Sequence, residues 1–386
     1  MRDGPRILFL DQTGQLGGAE LFLADVAARY RRMSEVILFQ DGPFRQTLEQ
    51  RGVSVVVHRL GEAAGTVSKA SGLRAAVLAG PQLLQLVAGV ALRARSFDLI
   101  YANTAKALIV GTLAAAIVGR PLLHHLHDIL SSEHFSRFNR WLLVACANLA
   151  RVVVANSRAT ANSFEESGGR RKLVRVVFNG FEAKRFEQCA ARGDEDRRML
   201  GVGDAPCALM VGRLTPWKGQ HILLEALRQV PAIHAVFVGE ALFTDEDRRY
   251  AEQLRSIASE PELVGRVHFA GFQTDVARWY GVADYVVHAS TSAEPFGRVI
   301  VEGMLASKPV VASRAGGACE IIEEGVTGRL VAPGSADQLA AVLKDLLSDP
   351  KKAGALALAG YSSAVRRFSL EGVLEGIDSA VNEAIR

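Results

Sequence analysis

The sequence predicts an α/β protein with two doubly wound halves, each built on a parallel sheet. Short apolar runs alternate with amphipathic stretches from one end of the chain to the other, which is typical of βαβ units. Several of these runs are apolar throughout, as expected of parallel strands that are covered on both faces. The length of 386 residues also exceeds one typical hydrophobic core, so we expect two domains.

The first half contains six apolar runs that we interpret as buried strands. Helical patterns lie between them. In one of these, Leu23, Val26, Ala27 and Tyr30 recur at the spacing of a single helix face. The predicted strands are residues 7–10, 35–39, 53–58, 99–102, 122–127 and 152–155.

The alternation pauses after residue 180 and then starts again. We interpret the charged stretch 192–198 as a linker, and we predict domains at 1–183 and 184–366, with a last helix at about 367–386 that joins the first domain. Ligands of such folds bind at the carboxyl ends of the strands, here expected to face a cleft between the halves. The predicted strands of the second half are 207–211, 235–238, 267–270, 285–288, 309–312 and 329–331.

Composition narrows the class of protein. Hydrophobic residues make up 49% and charged residues 22%, which indicates a globular chain. A net charge of +4 suits phosphorylated ligands or an anionic membrane face but is too small to indicate nucleic acid binding. We expect a cytoplasmic protein without a signal peptide, because the four cysteines form no C-x-x-C pair and the first apolar run is short. The longest apolar run, 107–119, is predicted to be a buried helix.

The most informative motif is EPFGRVIVE at residues 294–302. It follows a predicted strand through a short loop and leads into an apolar, helix-like segment. The N-terminus of such a helix is an anion site, because its first backbone N–H groups have no partner within the helix. Glu294 beside that site would hold sugar hydroxyls, and Glu302, farther along the helix, would hold a ribose diol. The motif therefore indicates a nucleotide-sugar site.

A second motif, GRLTPWKG at residues 212–219, follows the first strand of the second half. Arg213 offers a planar fork of donors and Lys218 a point charge, and both suit a diphosphate. A solvated loop with two ordinary surface cations is the alternative. The position at the carboxyl end of a strand favours the functional interpretation.

A glycine-rich motif, GQLGGAE at residues 14–20, follows the first strand and opens a helix. Glycine there allows backbone to approach a phosphate or a sugar closely. The motif lacks the G-x-G-x-x-G spacing of dinucleotide-binding proteins. A plain tight turn between strand and helix is the alternative.

The histidine-rich motif HHLHD at residues 124–128 ends a predicted strand. His127 comes last, and a neutral imidazole there would bond a sugar hydroxyl or a backbone carbonyl. Buried, satisfied histidines are the more common case, and we favour that interpretation for His124 and His125. The pair Gly316-Gly317 with Glu320 forms either a turn over the nucleotide or a simple break between elements. We interpret the acidic triplets 194–196 and 245–247 as solvated surface and expect no metal site.

Taken together, these motifs resemble glycosyltransferase family 4, a family of retaining enzymes with the GT-B fold. In that fold, two Rossmann-like domains face a central cleft. The resemblance covers nearly the whole chain, and its motifs are specific through their order and spacing. The residues that carry it are Gly17, Gly18, Ala19, Glu20, His127, Asp128, Asn179, Gly180, Gly212, Arg213, Lys218, Gly219, Glu294, Pro295, Phe296, Gly297, Glu302, Gly316, Gly317 and Glu320.

The resemblance implies a role for each matched residue. Arg213 and Lys218 would bind the donor diphosphate, Glu294 the donor sugar and Glu302 the ribose. Backbone N–H groups of Phe296, Gly297 and Arg298 would face phosphate or sugar oxygens. His127 would contact the donor sugar and complete a catalytic set with Arg213, Lys218 and Glu294. The remaining donor-binding assignments are Gly17, Gly18 and Phe272.

The implied activity is metal-independent transfer of a hexose, with retention, from a nucleotide-diphosphate sugar. UDP is the favoured carrier, and no cofactor is required. The first half would hold the acceptor, a glycan, a lipid-linked saccharide or another hydroxyl compound. Basic residues with aromatic neighbours, among them Arg137 and Arg140 with Phe138 and Trp141, indicate either contact with the inner face of the plasma membrane or a solvated helix face with buried aromatics.

Two other functions are weighed against transfer. A UDP-N-acetylglucosamine 2-epimerase would share the diphosphate loops, but it would need further acid–base groups. A degenerate, non-catalytic sugar-binding module would be expected to have lost one of the four residues Arg213, Lys218, Glu294 and Glu302, all of which are present. A dehydrogenase is disfavoured because the glycine fingerprint is absent.

Overall fold

The computed structural model describes residues 4–58, 80–133, 135–187, 189–241 and 244–386. Its contacts divide the chain into two compact units. One unit consists of Met1–Gly180 together with Glu371–Arg386, and the other consists of Phe181–Leu370.

The first unit is a parallel, seven-stranded sheet with helices in the crossovers. Its strand order is β3-β2-β1-β4-β5-β6-β7, so the chain winds outward from β1 in both directions. The strands are Ile7–Asp11 (β1), Ser34–Leu38 (β2), Ser54–Val57 (β3), Leu99–Ala102 (β4), Leu122–Leu126 (β5), Val152–Ala155 (β6) and Val174–Val176 (β7). The helices are Gly18–Arg29 (α1), Pro43–Gln50 (α2), Gly80–Ala94 (α3), Ala105–Val118 (α4), Arg137–Ala147 (α5) and Arg158–Glu166 (α6).

The second unit repeats this plan with a parallel, six-stranded sheet of order β10-β9-β8-β11-β12-β13. Its strands are Cys207–Val211 (β8), His234–Val238 (β9), Val267–Gly271 (β10), Tyr285–His288 (β11), Val310–Ser313 (β12) and Arg329–Val331 (β13). Its helices are Lys184–Glu187 (α7), Ala190–Leu200 (α8), Gln220–Arg228 (α9), Asp245–Ala258 (α10), Val276–Trp279 (α11), Arg298–Leu305 (α12), Ala318–Ile321 (α13), Ala336–Ser348 (α14) and Pro350–Phe368 (α15), and a final helix covers Leu370–Ile385 (α16). Short 3₁₀ turns occupy Arg171–Leu173, Pro216–Lys218 and Tyr280–Val282.

The two doubly wound halves predicted from the sequence are confirmed. Every predicted strand forms, and no end differs from its prediction by more than one residue. The central strands β1, β4, β5 and β6 are buried at every position, as continuous apolar runs in a covered parallel sheet should be. The strand predicted at 122–127 ends at Leu126, so His127 lies just beyond it.

The charged stretch 192–198 is not a linker but lies within α8, in the second unit. Its residue Asp196 is 0% exposed, because the guanidinium of Arg278 donates to both of its carboxylate oxygens, with Nε 2.7 Å from Oδ2. The interpretation of residues 194–196 as solvated surface is correct for Asp194 and Glu195 and wrong for Asp196. Asp247 of the other acidic triplet is likewise buried. The low apolar content of this stretch predicted a linker, whereas the stretch forms part of a helix that an ion pair holds to the second unit.

The final helix α16 belongs to the first unit from Glu371 onward. Arg29, at the end of α1, pairs with Glu371 at 2.9 Å and with Asp378 at 2.7 Å. Apolar residues such as Ile377 and Val381 are buried along the same helix. Apolar burial and these ion pairs together fasten the end of the chain to α1.

The apolar run at 107–119 forms most of α4, as predicted. Ala107, Leu108 and Val110 enter the core of the first unit, but Leu113 is 42% exposed and Ile117 is 63% exposed. Over the described ranges of the chain, no helix combines the length and the apolar character that crossing a membrane requires.

The Arg278–Asp196 pair generates a prediction about stability. Arg278→Ala should cost about 3–5 kcal/mol of unfolding free energy, because it leaves a fully buried carboxylate without its cation. Asp196→Ala should cost less, about 1.5–3 kcal/mol, because the remaining guanidinium of Arg278 is partly exposed and can be hydrated. Urea unfolding measures both values. Glu195→Ala, an exposed neighbour on α8, is the control, and a larger loss for Asp196→Ala than for Arg278→Ala would contradict this account.

Candidate active site

The carboxyl ends of β8 and β11 form the candidate site of the second unit. These two strands are neighbours in the sheet, and the strands β9 and β10 that come between them in the chain lie on the other side of β8. Such a reversal of strand order opens a crevice in which ligands of doubly wound folds bind. The two motifs at 212–219 and 294–302 follow these two strands.

Backbone hydrogen bonds join the two loops. The backbone N–H of Thr291 donates to the carbonyl of Trp217 at 2.8 Å, and the Thr291 hydroxyl donates to the same oxygen at 3.2 Å. The ammonium of Lys218 lies 4.5 Å from the centre of the Trp217 ring. These contacts bring Lys218 to the loop that carries Glu294.

Glu294 lies at the centre of a compact cluster of donors. Its Oε1 atom accepts from Lys218 Nζ at 2.7 Å, contacts His288 Nε2 at 2.8 Å and accepts from the hydroxyl of Ser290. Lys218 is contributed by the loop after β8, His288 by the end of β11, and Ser290 by the loop that follows. The carboxylate is only 7% exposed, so these donors replace the water that it lost on folding.

Opposing effects act on the pKa of Glu294. Burial raises the pKa, but the ammonium of Lys218 and the ring of His288 outweigh burial and hold it well below its usual range. The side chain is therefore an ionised carboxylate at neutral pH. In that state it accepts hydrogen bonds, from these partners or from hydroxyl groups of a ligand.

Two glycines shape the backbone around Glu294. Gly297 precedes the first residue of α12 with φ at +94°, a left-handed conformation that favours glycine. Gly316, in the loop after β12, also has positive φ, and a Cβ there would lie 2.1 Å from the carbonyl oxygen of Glu294. The N–H of Gly317 donates to that carbonyl at 2.9 Å. The Gly316-Gly317 turn thus packs directly against the backbone of Glu294. A side chain at position 316 would displace that backbone.

Glu302 lies inside α12, where two side chains position it. Tyr280 donates its phenol proton to Oε2 at 2.8 Å, and Arg298, one turn earlier, lies 3.4 Å from Oε1. The guanidinium of Arg298 also stacks 4.4 Å from the centre of the Phe181 ring. Glu302 is therefore held in one orientation near the N-terminus of the helix.

The other predicted donor residues of this unit occupy different surroundings. Arg213 is half-buried in the loop after β8, and its backbone carbonyl accepts from Gln220 at 2.7 Å. The Phe296 ring is buried among Phe181 and Phe368, so only its backbone is available for a ligand. Phe272 follows β10, the edge strand, and is 51% exposed. Glu294, Gly297, Arg298 and Glu302 lie along one loop and helix, and Lys218 reaches Glu294 from the loop after β8, whereas Phe272 lies two strands away from β8.

The first unit has an equivalent reversal of strand order between β1 and β4. Asp11 ends β1, and Asn103 follows β4 and donates from Nδ2 to Asp11 Oδ2 at 2.7 Å. The other side of the Asn103 amide, Oδ1, lies 2.9 Å from His127 Nε2. Because that oxygen only accepts, Nε2 of His127 carries a proton and donates it to Asn103. Asn103 thereby orients the His127 ring at the carboxyl edge of the sheet.

Gly17 and Gly18 lie at the start of α1, beside the carboxylate of Glu20. A Cβ at Gly17 would lie 2.5 Å from Glu20 Oε2, so this acid covers the glycine turn directly. Burial, together with the nearby charge of Asp11, raises the pKa of Glu20 to about 8, and burial raises the pKa of Asp11 to about 6. Glu20 is therefore mostly protonated at neutral pH and can donate a hydrogen bond.

His124 and His125 belong to the core, consistent with the interpretation favoured from the sequence. Nδ1 of His124 lies 3.0 Å from the carbonyl of Ala102, and Nδ1 of His125 lies 2.6 Å from the Tyr101 hydroxyl. Burial lowers the pKa of both rings, that of His124 to about 4, so both are neutral. The His125 ring supports His127, with ring centres 3.9 Å apart.

Several residues of these clusters were not identified from the sequence. His288 and Ser290 hold Glu294, Tyr280 holds Glu302, and Asp11 and Asn103 orient His127. Position in the sequence could have identified three of them. Asp11, Asn103 and His288 each end or directly follow a buried strand, at the sheet edge where ligands bind. In the described part of the chain, no three side chains of His, Cys, Asp or Glu are grouped so as to hold a metal ion.

Comparisons with known proteins agree with this architecture. Residues 16–185 match the family model of Glycosyltransferase Family 4, and residues 193–362 match the model of glycosyl transferases group 1. HepE of Anabaena, solved with UDP and glucose and also with UDP-glucose, is 41% identical over 98% of this chain and 100% of its own, with a TM-score of 0.89.

Two curated relatives match over shorter lengths. The lipopolysaccharide core biosynthesis glycosyltransferase LpsE of Rhizobium meliloti is 30% identical over 58% of this chain, which spans 62% of the length of LpsE. A GDP-mannose-dependent phosphatidylinositol monomannoside mannosyltransferase of Mycolicibacterium smegmatis is 28% identical over 67% of this chain and 69% of its own length. Each half of the chain thus matches a glycosyltransferase model, and nearly the whole chain matches HepE. The chain belongs to glycosyltransferase family 4 and has the GT-B fold.

Proposed function

We propose that this protein transfers a hexose from a nucleotide-diphosphate sugar to a hydroxyl acceptor, with retention and without a metal ion. The observation that carries the proposal is the contact of Lys218 with Glu294 at the strand-order reversal of the second unit. It places a cation suited to a diphosphate beside an ionised carboxylate suited to sugar hydroxyls. A retaining transferase needs both groups around the bond that breaks.

In this proposal the second unit binds the donor. Lys218 and Arg213 contact the diphosphate, Glu294 the sugar hydroxyls and Glu302 the ribose diol. The backbone N–H groups of residues 296–298 face phosphate or sugar oxygens at the start of α12. Tyr280 and Arg298 position Glu302, and His288 and Ser290 position Glu294.

The chemistry follows from charge. As the bond between the anomeric carbon and the phosphate oxygen breaks, positive charge grows on the sugar and negative charge on the diphosphate. Fixed cations and a helix N-terminus directed at the diphosphate stabilise that transition state more than the ground state. The acceptor oxygen then bonds to the anomeric carbon on the same face, and its proton passes to an oxygen of the departing diphosphate. Glu294 acts as a hydrogen-bond acceptor in this scheme and not as a covalent nucleophile.

The first unit is assigned the acceptor. Its contributions to donor binding are the Gly17-Gly18 turn and His127, which would contact the donor sugar. Asn103 supports this role by orienting the ring. The proposed acceptor is a glycan or a lipid-linked saccharide.

UDP-glucose is the first donor to test, because HepE, solved in complex with it, is 41% identical to this chain. GDP-mannose is the second, because the mycobacterial relative is named for its dependence on that donor. UDP, GDP, ADP and dTDP are compared by thermal shift in buffer that contains EDTA, and then their common sugars are compared. We expect saturable stabilisation by UDP, about 2.7 kcal/mol at a hundredfold excess over its Kd, and transfer that EDTA does not reduce.

Other outcomes of this experiment are decisive. Stabilisation by none of the four nucleotides would overturn the donor assignment and favour a degenerate binding module. Strict dependence of transfer on added divalent metal would contradict the role given to Lys218 and Arg213. Turnover of the donor without an acceptor, with an epimerised sugar as product, would identify a 2-epimerase.

Substitution of the central pair tests the site directly. Lys218→Ala and Glu294→Ala should each lower kcat/KM by about 10²–10³-fold, because each removes a charged contact at the reacting diphosphate or sugar. Circular dichroism checks that the fold is kept. The exposed residues Lys344 and Glu246 of the same unit supply the controls Lys344→Ala and Glu246→Gln, which should leave transfer unchanged. Near-wild-type rates in both site variants would contradict the assignment.

The low pKa of Glu294 predicts how stability depends on pH. Its stabilising contribution is fully present above the unfolded-state pKa of about 4.3 and is lost as the pH falls further, through the folded-state pKa. The unfolding free energy of the wild type should therefore fall more steeply than that of Glu294→Gln below about pH 4.3, and the two should run parallel above about pH 6. Urea unfolding across this range measures the difference. Parallel curves down to about pH 3 would show that the pKa is not lowered.

A further inference from the structure

Three neighbouring helices of the first unit expose an apolar surface. Helices α3, α4 and α5 cover the same core, with α4 in contact with both of the others. Leu84 and Leu92 of α3 are each 67% exposed, and Leu113 and Ile117 of α4 are 42% and 63% exposed. Trp141 of α5 is 64% exposed, and Leu149, just beyond α5, is 72% exposed. We call these six residues the apolar face.

The spacing of these residues turns them outward as stripes. Leu84 and Leu92 are two turns apart on α3, and Leu113 and Ile117 are one turn apart on α4, so each pair shares a side of its helix. At 1.5 Å per residue and 8–10 Å between helix axes, the face extends roughly 12 Å along the helices and roughly 20 Å across them.

The composition of α4 differs from that of a solvated helix. A surface helix normally carries polar and charged residues opposite its core side. Residues 107–119 contain no charged residue, and the one hydroxyl among them, on Thr112, is buried and donates to the carbonyl of Leu108. Single exposed leucines are ordinary, but contiguous apolar patches of several hundred Å² mark contact surfaces. The solvated face with buried aromatics that the sequence left open does not describe Trp141.

The charged residues of the segments that carry the apolar face are all cations. Residues 80–97, 105–120 and 135–151 contain no Asp or Glu. The cations of these three segments are Arg93, Arg95, Lys106, Arg120, Arg137, Arg140 and Arg151. Arg93 is committed to an ion pair with Glu35, and Arg95, Arg137 and Arg151 are exposed. Arginines at the ends of apolar helices complement the negative charge of an anionic lipid surface. An exposed tryptophan between them suits the boundary between lipid headgroups and acyl chains.

We propose that the apolar face of α3, α4 and α5 docks this protein on an anionic lipid bilayer. The side chains of the apolar face enter the boundary between headgroups and acyl chains. The flanking arginines contact lipid phosphates. A second copy of the chain is a poorer occupant, because it would bring an identical set of arginines against this one. The proposal concerns where the enzyme acts, and it is independent of the donor assignment.

The test is co-sedimentation of the 386-residue chain with vesicles of equal parts phosphatidylglycerol and phosphatidylcholine. We expect binding that weakens as salt is raised, and binding about tenfold weaker to vesicles of phosphatidylcholine alone. Ile117→Gln and Trp141→Gln should each weaken binding to the mixed vesicles by about tenfold, because each removes apolar area from the lipid contact. Both positions are more than 60% exposed, so the folded state should tolerate the changes.

Matched controls distinguish vesicle binding through the apolar face from nonspecific hydrophobic binding. Val264→Gln and Leu358→Gln change side chains of the second unit that are 62% and 68% exposed, and they should leave vesicle binding unchanged. Arg137→Gln should weaken binding to the anionic vesicles more than Arg249→Gln, an exposed arginine of the second unit. UDP stabilisation in vesicle-free solution should be the same in all of these variants, so that loss of lipid binding and loss of the donor site are distinguished.

Three results would overturn the proposal. One is absence of sedimentation with the anionic vesicles at low salt. Another is equal binding by the wild type, Ile117→Gln and Trp141→Gln. The third is a dimer, seen by light scattering, that Ile117→Gln dissociates while the vesicles bind neither form, because the apolar face would then be covered by a second copy of the chain.

Discussion

The ionised carboxylate of Glu294, buried at the edge of the second sheet, is the constraint on which the candidate site depends. A buried charge is costly unless donors replace its water, and here three donors, from the loop after β8, the end of β11 and the loop that follows it, converge on one of its oxygens. The hydrogen bonds to this carboxylate join the loops after β8 and β11. The N–H of Gly317 donates to the backbone carbonyl of the same residue. The geometry that a diphosphate and a sugar would meet is therefore already organised by the electrostatics of one residue. Preorganised charge of this kind needs no rearrangement when the ligand reacts.

The two units use the same topology but opposite acid–base environments. In the second unit, cationic neighbours keep Glu294 ionised, so that it accepts hydrogen bonds. In the first unit, Glu20 and Asp11 are buried close to each other; burial raises both pKa values, and the charge of Asp11 raises that of Glu20 further. Glu20 can then donate a hydrogen bond where an ordinary glutamate would only accept, and the ring of His127 is oriented by Asn103. This difference suits a second unit that holds charged phosphate groups and a first unit that meets uncharged hydroxyls.

The apolar face adds a property that neither sheet requires. Helix α4 needs one apolar side to cover the sheet, yet it is apolar on the outward side as well, and α3 and α5 continue that surface. Core packing does not explain outward leucines and a tryptophan flanked by arginines. A lipid surface does, and it is also where an enzyme acting on a lipid-linked saccharide would meet its acceptor.

The sequence by itself determined the fold class, the described strands other than β7 to within a residue, and the two motifs that carry Arg213, Lys218, Glu294 and Glu302. It could do so because parallel strands that are covered on both faces appear in the sequence as continuous apolar runs. In addition, ligand sites in such folds lie at the carboxyl ends of the strands. Only the tertiary structure decided which residues hold the site together. His288, Ser290 and Tyr280 reach the two glutamates through strand order and helix packing, and Asp196 is buried because Arg278, 82 positions away, turns toward it. The outward direction of Leu113, Ile117 and Trp141 was equally undetermined, because an apolar run specifies burial in general but not which neighbour, protein or lipid, provides it.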